Sequence, residues 1–581
     1  MMNTMKKSIT KYISGLVFSI GLLSAVACNE GLDNNLNDPS FLSPEQASNE
    51  FIWNGIQLNF ANFFLNVTDF GQDNLRMRNL YGSTYENSYT QNNFNVIWLS
   101  AYSDVMINAN LLLSKTVENS ATAEIEYNPY YQGTTKVMKA YVLMTLVDFF
   151  GDVPYAEAFN TSNFNPPAQD DAAVYDSAQV MLESAVAHLN AVVSGTPKPL
   201  YDLYYNGSVD GWRKAANSLL FKLHLNKRLV AKTASEAAMN ALIMDNDMIS
   251  SNAEDFSFKF TANSQTNPNT FHPWFYNNYL TSTSPYMSNS YMKELFDGKG
   301  FKDPRIRYYF YRQVNVPTTD VNELTCSIPV FPYTALPPAH YPPGTAYCQL
   351  PEGYWGRDHL NFEGTPPDGL KKTTYGVYPA GGRFDANDAV PVTAQGLASG
   401  VKGKGVLPIM MSSYVIFMRA EHELTRTGGS SVAAGVLLDQ AVRRSIDRAM
   451  TFAASRGEPG AINAGFVPSA TGINNYVTAV LNLYNAGTPV APNLTVAENQ
   501  LDVISREYWL ALWGNGVEAY NMYRRTGRPT RMQPSLIPNP GNFYRSFTYP
   551  GVYVVRNSEA VQKANNKVKV FWDNNPDDFI N

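Results

Sequence analysis

The stretch "GYWGRDHLNFEGTPPDG", Gly353 to Gly369, places Asp358, His359, Glu363 and Asp368 in one short irregular segment. Two carboxylates facing each other across a sugar would make a glycosidase pair, and an oxygen-rich turn would hold calcium. The spacing fits neither an EF-hand loop nor two ligands one helical turn apart. With 50 acidic residues along the chain, clusters like this arise by chance. Structural duty is therefore the expectation, and no metal, cofactor or catalytic residue is assigned. "DGKGFKDPR" resembles a second calcium loop, but Lys299 and Lys302 favour a tight turn. The sequence contains no Gly-x-Ser-x-Gly elbow, His-Glu-x-x-His helix, phosphate loop or dinucleotide fingerprint.

What remains is stacking chemistry. The chain has 36 Tyr, 31 Phe and 8 Trp, more aromatic surface than a site needs, so most of it must be core. A sugar ring offers C–H faces to an aromatic platform and hydroxyls to surrounding amides. Peptides need aromatics too, together with charged groups and strand-like hydrogen bonding. Three loops supply such groups. "LYGSTYENSYTQNNFN" carries Tyr85, Tyr89 and Asn92. "NTFHPWFYNNYL" carries Trp274 and Tyr276, with His272 read as a hydrogen-bonding loop residue. "LPEGYWGRDHL" carries Tyr354, Trp355, Arg357 and Asp358. These nine are the candidate ligand-binding residues. Trp274 and Trp355 lie in turn-rich sequence and are the expected platforms, whereas Trp98, Trp212, Trp509 and Trp513 lie in helical stripes and belong to the core.

The elements that must position these loops are helical. Ile97, Trp98, Ala101, Val105, Ala109 and Leu112 form one buried stripe, and "TTKVMKAYVLMTLVDFFGDVPY" predicts a core helix ending at Gly151. Val180, Met181, Ala185, Leu189 and Val192 mark a third helix; Trp212, Ala216, Leu219, Leu220 and Leu223 mark a fourth. Four such segments joined by turns suggest stacked helix pairs. Residues 263–404 are dense in Pro, Gly, Asn and Tyr, with "SYMKELFD" as the helical candidate, and helical patterning resumes through "MMSSYVIFMRAEHEL" to "YNMYRRTG". The predicted layout is a helical scaffold over 43–262 and 405–581 in one domain, 43–581, carrying a loop-rich ligand-side region over 263–404.

The N-terminus reads as an export signal: Lys6, Lys7 and Lys11, then an apolar run from Ile13 to Ala27 that is too short to span a bilayer. A plain cut after Ala27 would make Cys28 incidental. "LSAVAC" instead resembles a lipobox, in which Cys28 is acylated and becomes the new N-terminus. Residues 1–27 would then be the signal peptide and 28–42 a flexible tether. Removing residues 1–27 takes away three lysines and no acid, moving the net charge from −6 to −9, which argues against nucleic acid as a partner. Cys326 and Cys348, flanking a proline-dense segment, would pair as a disulfide in an exported protein; two separate thiols are the alternative.

Four stretches together resemble the SusD/RagB nutrient-binding outer-membrane lipoproteins: "KAYVLMTLVDFFGDVPYAEA", "YDLYYNGSVDGWRKAANSLLFKLHLNKR", "FKDPRIRYYF" and "REYWLALWGNGVEAYNMYRRTGRP". The resemblance implies a mainly α fold of tetratricopeptide-like helix pairs with an irregular region built on it. It also implies a lipid anchor at the outer membrane, facing the cell exterior, and a place as lid on a SusC-like TonB-dependent barrel. The implied ligand is an oligosaccharide, or in some members an oligopeptide, captured and not turned over. The segment preceding Trp98 is one from which family members present ligand contacts. A surface glycan hydrolase and a ligand-free helical assembly protein are the competing classes.

Overall fold

Apolar stripes at helical spacing meet strong start and stop signals, and the computed structural model turns each such stretch into a helix. The structure describes residues 47–117, 127–262, 270–281, 285–318, 320, 323, 337–347, 350–364, 366–486 and 494–576. Cys28, Cys326, Cys348 and the tether lie outside the described residues. The long helices are α1 (Asn49–Asn74), α2 (Asn95–Leu99, then a π-helix over Ser100–Met106, then Ile107–Lys115), α3 (Pro129–Phe150), α4 (Asp171–Asn190), α5 (Val209–Lys227) and α6 (Lys232–Asp245). After the insert come α7 (Ser412–Thr425), α8 (Ser431–Ser455), α9 (Ala470–Tyr484), α10 (Val496–Ala511), α11 (Gly516–Thr526) and the single turn α12 (Gly551–Val554). Trp53–Asn581 forms one compact unit; of Met1–Ile52 the described part is residues 47–52.

The central helix shows why the sequence folds this way. The Asn128 side chain accepts from the N–H groups of Tyr130 at 3.0 Å and Tyr131 at 3.2 Å, and Pro129 fits the first helical position, where no N–H is needed. α3 is apolar nearly all round and buried nearly all round. Gly151, at φ 69°, provides the left-handed turn that ends it. Its one acid, Asp148, is buried but accepts from Asn521 Nδ2 at 2.6 Å and Trp572 Nε1 at 3.0 Å, so the charge is solvated by protein donors.

Helix pairs are the packing unit. α3 packs on α4, α4 on α5 and α5 on α6; in the second half α7 packs on α8 and α10, α8 on α9, and α10 on α11. α5 also touches α7 and α11, joining the two halves of the scaffold. The predicted stripes of α2 and α5 are buried as expected. In α4 the stripe is rotated: Val174, Tyr175, Ala178, Leu182, Ala185 and Leu189 are inside, while Val180 faces out. Trp212, Trp509 and Trp513 are core residues.

Two buried ionic clusters tie sequence motifs to the scaffold. The Asp303 carboxylate accepts from Arg305 Nε at 2.9 Å and Lys299 Nζ at 2.9 Å, and Glu507 accepts from both cations as well. Burial alone would raise the Asp303 carboxyl, but Arg305 and Lys299 outweigh it and hold it well below the usual carboxylate range. This is the role of the Asp-Pro-Arg turn: it fastens the insert to α10. In the second cluster Glu421 of α7 receives Arg525 Nε at 2.8 Å and Arg228 Nη1 at 2.6 Å, and Arg525 also reaches Glu518 at 3.2 Å.

The insert is irregular but not loose. β1 (Phe256–Lys259) pairs antiparallel with β4 (Val406–Met410), and β2 (Phe310–Tyr311) with β3 (Thr374–Tyr375), in the registers Phe256↔Met410 and Phe310↔Tyr375. "SYMKELFD" becomes a helix over Asn289–Lys293 that relaxes into a π-helix over Glu294–Gly298.

Candidate functional site

Six of the nine candidate residues lie inside the protein. Tyr85 is buried, its hydroxyl held by Arg76 Nη2 at 2.9 Å and by His359 Nε2 at 3.1 Å. Trp274 is 5% exposed and stacked on Tyr375 at 5.0 Å and 11°. Trp355 is 3% exposed, its indole N–H donating to Asp368 at 2.7 Å. Tyr354 is covered by the Arg312 guanidinium at 4.9 Å. Arg357 donates to the carbonyl of Glu363 at 2.7 Å and lies 3.9 Å over the Tyr286 ring; Asp358 accepts from Asn289 at 2.7 Å and Tyr341 at 3.0 Å.

The expectation that Trp274 and Trp355 are open platforms is therefore corrected. An insert without helical stripes must still bury apolar and stacking surface, and its aromatics and arginine do this in place of leucines. Of the rest, Tyr89 is half-buried and donates to Asp73 at 2.9 Å, Tyr276 is half-buried, and Asn92 is exposed. His272 is buried and caps the Pro273–Tyr276 turn, accepting from Trp274 N at 3.2 Å; burial pushes its imidazole down to about 3. Among the described residues no three His, Cys, Asp or Glu side chains converge as a metal site would need.

A surface with one fully open aromatic ring lies elsewhere. A cavity of about 600 Å³ is walled by α2, by the loop that follows α3, and by α12. Its floor is Trp98, 7% exposed, and Tyr553, 6% exposed, with ring centroids 4.6 Å apart. Phe159 and Phe164 come from the loop, and Phe164 is 85% exposed.

Local sequence explains the convergence. The loop is closed at its base by the paired backbones of Val153 and Gln169. Asn557 Nδ2 donates to the Pro166 carbonyl at 2.7 Å and Val552 N donates to Asn95 Oδ1 at 3.0 Å, pinning α12 to both neighbours. The π-helix in α2 inserts an extra residue just after Trp98, a distortion that recurs at functional sites. Asn92 packs against Gly551, the first residue of α12, so it borders this region. Behind the wall, Lys139 Nζ donates to Asn110 Oδ1 at 2.6 Å; burial, with Lys136 adding to it, pushes that amine down to about 8.

Two other cavities are less suited to stacking. One of about 660 Å³ is lined by four prolines and mostly small or polar residues around Tyr523 and His340, and one of about 470 Å³ lies by Arg383 and Asp388. The aromatic cavity was hidden in the sequence because Trp98 sits in a core-like stripe. Its signal was "AFNTSNFNPP", with two phenylalanines among asparagines and prolines.

The class defined by the structure is a helix-pair scaffold with an irregular insert and a surface cavity. Sequence comparison makes this specific: residues 43–325 match the family described as starch-binding, associating with outer membrane, and residues 394–575 match the SusD and RagB outer membrane lipoproteins. The chain belongs to the SusD/RagB family. No curated protein sequence matches it. Among solved structures it is similar to a chitin-binding protein (18% identity, TM-score 0.62, covering 91% of this chain and 100% of that one). A SusD/RagB family protein from Bacteroides thetaiotaomicron gives the same values. A chitin-binding SusD homologue from Flavobacterium johnsoniae is 19% identical, with TM-score 0.58 and 90% and 99% coverage. At these identities the likeness establishes the fold alone.

Proposed function

We propose that this protein captures oligosaccharides at the outer surface of the outer membrane and delivers them, as a lid, to a SusC-like TonB-dependent transporter. It is anchored there by acylated Cys28 and leaves its ligand chemically unchanged. The observation that carries the reading is the aromatic cavity. Its volume lies within the roughly 300–1,000 Å³ of small-molecule sites. It joins the exposed Phe164 ring to asparagine amides, the pairing that sugar recognition needs. Family membership and the chitin-binding names of two similar structures support a saccharide over a peptide.

Capture without turnover has its own support. In the loop that tempts a catalytic reading, Asp358 and Asp368 are buried and satisfied by donors, so neither is free to meet a glycosidic bond. Calorimetry of the full chain in detergent against oligosaccharides and oligopeptides tests the ligand class, with chromatography of the incubated glycan to detect cleavage. Co-purification from native membranes tests the partner. Binding of glycan with no product and a co-purifying barrel is expected. Failure to bind any glycan would sink the reading, and tight binding of peptides alone would move the role to peptide capture. Cys28→Ser should release the protein from the membrane.

A further inference from the structure

The aromatic cavity carries a guanidinium at its rim and no acid in its lining, and we infer that its ligand is an acidic saccharide whose carboxylate is held by Arg556. This rests on the saccharide-capture reading and narrows it. Four asparagines stand in the wall, and each has its side-chain oxygen turned to an internal donor. Asn110 Oδ1 accepts from Lys139 at 2.6 Å, Asn160 Oδ1 from Ser162 N at 3.0 Å, Asn163 Oδ1 from Asn165 N at 3.0 Å, and Asn557 Oδ1 from Glu559 N at 2.9 Å. Two of the four amides are also committed, Asn160 to Glu157 and Asn557 to Pro166. Those of Asn110 and Asn163 are left as free donors at the cavity wall.

Two further lining residues matter here. Tyr553 lines the cavity through its ring, while its hydroxyl is buried beneath the surface and makes no hydrogen bond among the described residues. Arg556 is exposed at the rim, and among the described residues it makes no ion pair, not even with Glu559 three positions on. No lining residue is an acid. Of the carboxylates nearby, Glu157 is exposed and accepts from the Asn160 amide at 2.7 Å.

A neutral sugar presents hydroxyls that both donate and accept, and sites for it ordinarily mix donors with carboxylate or amide acceptors. Here the free side-chain groups are the amide donors of Asn110 and Asn163 and the Arg556 guanidinium, with the Thr161 hydroxyl able to donate or accept. A uronate matches this field: its ring lies on Phe164 and the Trp98–Tyr553 floor, and its carboxylate accepts the two parallel N–H bonds of Arg556.

The test uses the full chain in detergent and calorimetry. Probes are oligomers of galacturonate, of mannuronate, and of alternating glucuronate and N-acetylglucosamine, each beside its carboxyl-reduced counterpart. At least one acidic oligomer should bind about tenfold or more tighter than its reduced form, and Arg556→Gln should close most of that gap by weakening the acidic form far more than the reduced one. A gap that survives in Arg556→Gln overturns the proposal. So does equal binding in every pair; if that shared binding is lost in Phe164→Ala, saccharide capture at this cavity still stands. If no saccharide of either kind binds, both readings fall.

Discussion

The rings of Trp98 and Tyr553 lie 4.6 Å apart, tilted by 30°, and bring an early helix and a late turn of the chain together as one aromatic floor. Phe164 rises from the loop beside them and is almost fully exposed, so removing it should cost the fold little. Phe164→Ala should weaken glycan binding by about tenfold, the equivalent of ~1.4 kcal/mol, with an unchanged melting temperature. Parallel calorimetry and thermal melts check both parts.

Tyr553→Phe separates stability from function. The hydroxyl has no partner in the free protein, so deleting it should leave the melting temperature equal or higher. Because the hydroxyl has no solvent-facing surface, the same change should leave glycan affinity within about twofold. A clearly less stable variant, or one that loses binding, would refute this placement of the hydroxyl.

Trp355→Ala should behave in the opposite sense. Its ring is enclosed and its N–H holds Asp368, which also accepts from Tyr286 at 2.5 Å. Truncation should cost about 3–5 kcal/mol, as for other buried large aromatics, and leave ligand affinity within about twofold in the fraction still folded. Denaturant melts report the first quantity and calorimetry the second.

The contrast between Trp98 and Trp355 shows what the sequence could and could not convey. Helix positions were legible because burial on a helix is periodic: the stripe from Ile97 to Leu112 is inside as its spacing predicts. The same periodicity misleads about function. It marks Trp98 as core without saying that its remaining edge meets the end of α12, a contact set by tertiary packing far along the chain. In the insert there is no period, and turn-rich sequence around Trp355 was read as exposure. Backbone irregularity and side-chain exposure are separate properties, and here cross-links such as Arg357 to Glu363 and Asp358 to Asn289 bury an irregular chain. The Asp303–Arg305 pair was visible as a motif, but its partners Lys299, Tyr476 and Glu507 become evident only in three dimensions.

Glu363 gives a pH signature. Burial pushes its carboxyl up to about 7, with Arg357 opposing the shift, and one of its oxygens is buried without a partner. The folded protein therefore holds this proton more tightly than the unfolded chain. The contribution to stability is full below the unfolded value near 4.5 and is lost as pH rises through about 7. Glu363→Gln mimics the protonated group. Its melting temperature should match that of the parent near the acid end and exceed it above neutrality. Melts across this range test the sign, and a constant offset would show that the proton is not involved.

Arg525 should be among the least replaceable residues in the scaffold. It is buried, donates to Glu421 at 2.8 Å and 2.9 Å and to Glu518 at 3.2 Å, and joins α11 to α7. Burial alone would raise the Glu421 carboxyl, and Arg525 with Arg228 reverses that and holds it below its ordinary value. Arg525→Met removes one charge and leaves Glu421 facing Arg228 alone and Glu518 with Lys222 at 3.5 Å. The expected loss is about 3–5 kcal/mol, the usual cost of breaking a buried pair from one side. Adding Glu518→Gln should recover part of that loss, because it withdraws a carboxylate that Arg525 had neutralised while Lys222 keeps Asp148 at 4.0 Å. A double variant less stable than the sum of the two single changes would show that the penalty comes from packing and not from unpaired charge.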